Sequence, residues 1–80
     1  MKAMNLEIGR VVCSRAGRDK GGFLAVVGHQ GEYLLLADGK KRPLERPKRK
    51  RRIHLNVTGT VLGEQSLRSN RELRRALQQL

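Results

Sequence analysis

GRVVCSRAGRDKGGFLAVV, residues 9–27, decides the fold. Two short apolar runs, Gly9–Ser14 and Phe23–Val27, flank a hinge with three glycines and four charged residues. Short, valine-rich runs bounded by glycine read as β-strands. Ala16-Gly17 starts the turn between them and Gly21-Gly22 closes it. Glycine supplies positive φ there, or lets another backbone approach closely. Arg15, Arg18 and Lys20 are then expected to project from a rigid tip. Backbone amides beside cationic side chains suit phosphate oxygens. The plainer alternative is an ordinary hairpin turn whose charges are only solvated.

The same pattern continues outward. Tyr33–Ala37 reads as a third strand after the turn His29-Gln30-Gly31, and Asp38-Gly39 is a type I′ hairpin signal. The basic segment Lys40–Arg52 is broken by Pro43 and Pro47, so it is expected to be a loop or an edge strand. In Ile53–Val57, Ile53, Leu55 and Val57 alternate with His54 and Asn56, placing the three apolar residues on one strand face. Several short strands with glycine-rich turns indicate a small barrel or sandwich. Residues 59–68 read as a connector. The period then changes. Ser69 and Glu72 form a capping box, and Leu73, Ala76, Leu77 and Leu80 make one apolar stripe of a helix. Arg71, Arg74 and Arg75 fall mostly off it. The second and third strands are apolar on both faces, so something must cover the outer one. The helix stripe is the expected cover, and a partner's surface is the alternative.

Eighty residues bound the answer to one domain with a modest core. A domain of this size buries only about 60% of its unfolded surface. Hydrophobic residues are 38% of the chain, enough to exclude wholesale disorder. The net charge of +11 makes the compact chain repel itself unless a polyanion neutralises it. A single cysteine, Cys13, excludes an intramolecular disulfide. The amino-terminal residues show no signal peptide, and no run approaches the roughly 18 apolar residues of a membrane span. The expectation is a soluble cytoplasmic protein.

Other chemistries find little support. Three residues separate Gly17 from Gly21 and Gly22-Phe23 follows, so both the P-loop and the dinucleotide fingerprint fail. Cys13, His29 and His54 match no zinc spacing, and Cys13 reads better as a small buried hydrophobe. No nucleophile–base–acid set is present, so no enzyme, metal, cofactor or small-molecule substrate is expected. PKRKRR, residues 47–52, is the strongest charge feature. It could be a solvated loop, a nuclear-import signal or a membrane-surface patch. Pro43 and Pro47 stiffen the segment, which favours a fixed cationic ridge. Phe23 and Tyr33 are the only aromatics, too few for base-by-base stacking along a strand. Recognition is expected to lean on phosphates, 2′-hydroxyls and the shape of folded RNA.

GRVV at 9–12, AGRDKG at 16–21 and the following apolar strand resemble the KOW motif. The likeness is to short KOW-type large-subunit ribosomal proteins and small bacterial KOW proteins. It reaches more weakly to the third strand, the basic segment and IHLN at 53–56, about two-thirds of the chain. The resemblance implies a mainly β fold, a small Src-homology-3-like β-barrel over residues 1–58. Residues 59–68 and a short C-terminal helix at 69–80 lie beyond it. It also implies binding to structured ribosomal RNA on the large subunit, with ribosomal proteins as further partners. The expected RNA contacts are Arg15, Arg18, Lys20, Gly21 and Gly22 at the hinge, then Lys40, Lys41 and Arg42. Lys48, Arg49, Lys50, Arg51 and Arg52 complete the set. Many KOW members carry glycine where this chain has Leu24, which shifts the expected contact onto Arg15–Gly22. The alternative functions are a protein-interaction module that docks through the apolar strands and the helix stripe, and non-specific binding of duplex DNA.

Overall fold

The computed structural model describes residues 6–17 and 20–80. Arg18, one of the expected contacts, lies outside them. Five strands, β1 (Arg10–Ser14), β2 (Phe23–Gln30), β3 (Tyr33–Ala37), β4 (Lys48–Arg51) and β5 (Leu55–Val61), precede one helix, α1 (Asn70–Gln78). The strands form one antiparallel sheet in the order β4-β3-β2-β1-β5. The fold is thus mainly β with a short C-terminal helix.

The sheet is open, with β4 and β5 as its edges, yet it is strongly rolled. A 3-10 turn over Arg52–His54 is all that joins those two edges. Four strand spacings of a flat sheet amount to about 19 Å. The chain from Arg51 to Leu55 reaches at most about 14 Å. Arg51 pairs with Tyr33 and Leu55 with Ser14, beside opposite ends of β2, so a flat sheet would demand an even longer link. Two register shifts help the sheet bend. Val27 is the extra residue between the β2–β3 pairs, and β5 gains residues opposite Val11. Bulges of this kind bend the strand and increase its twist. At the second one, the Thr58 hydroxyl donates to the Val11 carbonyl at 2.7 Å.

Strand alternation divides the core into two layers. Val12, Leu24, Val26, Leu34, Leu36 and Leu55 fill the concave side together with Leu6. Val11, Ala25 and Ala37 face the convex side, where Leu73 and Leu77 of α1 cover them. The stripe therefore packs on its own sheet, and the doubly apolar middle strands need no partner to explain them. Leu80 drops out of the stripe and stays half exposed. The helix starts on half of the expected capping box: the Ser69 hydroxyl accepts from the Glu72 amide at 3.2 Å, and among the described residues the Glu72 carboxylate accepts no bond from the Ser69 amide.

Four expectations are corrected. Asp38-Gly39 is not a type I′ turn, because only Gly39 has positive φ (80°). Asp38 instead accepts the amides of Lys40 and Arg42 through Oδ1, each at 2.8 Å, which organises a ten-residue loop. A Cβ on Gly39 would run into the Asn70 carbonyl and the Arg74 amide, so this loop lies flat against the first turn of α1. Ile53 is 70% exposed, because the 3-10 turn takes it out of the strand register that its alternation suggested. β5 continues to Val61, and a second 3-10 turn occupies Glu64–Leu67, so regular structure extends into the stretch read as a connector. Cys13 is half-buried rather than buried.

Candidate nucleic-acid interface

The hinge is built on the end of the β1–β2 ladder. The Ser14 amide donates to Gly22 (3.1 Å), and the Gly21 amide donates to Ser14 (2.9 Å). Gly17 and Gly21 have φ of 79° and 84°, so the tight turn needs glycine at both, as the sequence suggested. The Ala16 carbonyl accepts twice, from the buried Ser14 hydroxyl and from Lys50 Nζ, each at 2.9 Å. The Arg15 amide donates to His54 at 2.9 Å. The rolled sheet thus brings the hinge against the end of β4 and the 3-10 turn. Leu24 points into the concave core, so its side chain cannot obstruct a ligand at the hinge.

On its other side the hinge meets the β3–β4 loop. Lys20, Gly22, Phe23, Leu24, Asp38, Lys40 and Lys41 line a shallow cleft of about 170 Å³. A second depression of about 190 Å³ lies across Phe23 and is lined by Asp38, Lys40, Arg74, Leu77 and Gln78. Phe23 is 42% exposed and borders both. Among the described residues, the side chains of Lys20, Lys40, Lys41 and Arg74 have no hydrogen-bond or ion-pair partner.

The basic tract behaves differently from a single ridge. Residues opposite one another in an antiparallel pair share a face. Lys48 and Lys50 stand opposite Leu36 and Leu34, on the concave face, and both are half-buried. Arg49 and Arg51 stand opposite Leu35 and Tyr33 on the convex face. Their guanidinium carbons lie 5.0 and 5.4 Å from the Tyr33 ring centroid, within cation–π range. Tyr33, and beyond it Glu32 at 3.8 Å, push the Arg51 pKa above its ordinary value. Arg52 is exposed and opens the turn that contacts the hinge. Arg42 is half-buried, and its carbonyl accepts the amides of Asp38 and Gly39.

Of the expected contacts, the structure therefore gathers Arg15, Lys20, Gly21, Gly22, Lys40, Lys41 and Lys50 around the hinge. It separates Arg49 and Arg51 from them. Arg74 was not among the expected contacts. Its signal was its place off the apolar stripe of α1, one turn from the helix start. Among the described residues there is no group of three or more histidine, cysteine or acidic side chains that could hold a metal, and no helix long and apolar enough to cross a membrane. Compared with protein-family models and with curated proteins, the chain matches none.

Proposed function

We propose that this chain is a KOW-type RNA-binding domain, with a rolled, Src-homology-3-like β-barrel, that binds structured ribosomal RNA on the large subunit. It is a binding protein and not an enzyme. The observation that carries the reading is the cluster of exposed, unpartnered lysines around a hinge held by two positive-φ glycines. A chain of net charge +11 that leaves these cations without internal partners is suited to a polyanion. The rolled sheet, whose edges are joined by one 3-10 turn, supports the barrel part of the reading. The protein-interaction alternative loses its best surface, because Leu73 and Leu77 are buried on the chain's own sheet.

The test is a titration of a folded ribosomal RNA fragment and an unrelated RNA duplex of equal length over a range of salt. Six phosphate contacts would give a slope of log K against log salt of roughly −4 to −5. Gly21→Val is the informative variant. It leaves the charge unchanged, and its Cβ meets nothing within 4 Å, but a β-branched residue is strained at φ 84°. Selectivity for the fragment should fall while the duplex is bound as before. A weak salt dependence, or a folded Gly21→Val protein as selective as wild type, refutes the reading.

A further inference from the structure

Phe23 is an aromatic ring left at the surface between four cations. Its alternating neighbours in β2 are spent on the core: Leu24 and Val26 inside, Ala25 against the helix. Lys20, Lys40 and Lys41 line one of the two clefts that the ring borders, and Lys40 and Arg74 line the other. The acidic side chain in the cleft, Asp38, already accepts two backbone amides through Oδ1. The clefts, at about 170 and 190 Å³, fall below the roughly 300 Å³ at which small-molecule sites begin. They are open and shallow, so they suit one flat group presented from outside. The matching ligand has a flat face for the ring and an anion on each flank. A nucleotide that has left its helix is such a group, because base–aromatic stacking tolerates any base and its phosphates flank it.

We propose that Phe23 receives a single unpaired RNA base, stacked on its ring, while Lys20, Lys40 and Lys41 hold the adjoining phosphates. This rests on the RNA-binding reading above and adds to it a preference for an RNA helix interrupted by an unpaired nucleotide. One ring is too few to bind a single strand base after base, but it is enough for one extruded base.

The experiment uses the full chain and two RNA hairpins that are identical except for one unpaired adenosine in the stem, at fixed salt. Wild type should bind the interrupted hairpin roughly tenfold tighter or more, the lower part of the range measured for base–aromatic stacking. Phe23 is 42% exposed and Phe23→Leu keeps an apolar side chain there, so the variant should melt as wild type does. It should lose the preference while binding the uninterrupted hairpin as before. Phe23→Trp should keep the preference, and Lys40→Gln should weaken both hairpins together. Equal binding of the two hairpins by wild type overturns the inference, as does an undiminished preference in Phe23→Leu; the RNA-binding reading survives either result. Failure to bind either hairpin at low salt overturns both.

Discussion

Truncating Leu73 to alanine tests whether α1 is a structural part of the sheet. Leu73 has no exposed surface, and it packs with Val11, Ala25 and Ala37 of three different strands. Three carbons are removed, worth about 2.4 kcal/mol at roughly 0.8 kcal/mol each. The cavity between a helix and a sheet collapses only in part, which raises the cost to about 3–5 kcal/mol. A domain of this size has a total stability of roughly 4–12 kcal/mol. The substitution should therefore remove a large fraction of it and lower Tm by at least about 12 °C. Leu80→Ala, at a half-exposed position beyond the helix, is the control and should cost within about 0.5 kcal/mol. Urea denaturation followed by far-ultraviolet circular dichroism measures both. If Leu73→Ala has the same midpoint as Leu80→Ala, the helix does not hold the convex face and the two-layer core described above is wrong.

Two more outcomes follow from single contacts. Lys50→Met keeps the aliphatic stem but removes the donor to Ala16, so hydrogen exchange at the hinge amides should accelerate relative to Lys48→Met; equal exchange in the two variants would show that this tie does not hold the hinge. The Asn70 side-chain amide donates to Glu45 at 2.9 Å and holds its carboxyl below the ordinary value of 4.5. A lowered folded pKa contributes stability that is present above the unfolded value and lost as pH falls through the folded one. The Asn70 side-chain amide resonance should accordingly titrate below pH 4.5 and stop responding in Glu45→Gln; a midpoint at or above 4.5 refutes the contact.

Much of this is legible in the sequence. β3 spans the residues that its apolar run marked, and Ser69 caps α1 as its spacing with Glu72 required. These features are local, and local chemistry decides them. The hinge glycines were legible for the same reason, since a turn between adjacent strands leaves few backbone options. What could not be read depends on long-range placement. Ile53 alternates as a strand residue should, but the chain must cross from one sheet edge to the other there, and the 3-10 turn overrides the pattern. Asp38-Gly39 has the letters of a tight hairpin, yet β4 does not begin until Lys48, and Gly39 serves instead to clear the helix. The basic tract reads as one block in sequence. Strand alternation divides it, and only the pairing register with β3 tells which lysine turns inward and which arginine meets Tyr33.

β4 has a second consequence. An unpaired edge offers a row of amides and carbonyls to any passing strand, and edge-to-edge pairing is how small β proteins begin to aggregate. Here that edge consists wholly of lysine and arginine, with a proline just before it. A second copy approaching in register would set like charges directly opposite one another, at about 5 Å between Cβ atoms. The β4 edge thus carries its own barrier to self-association. Salt screens such repulsion, so the barrier is strongest at low ionic strength.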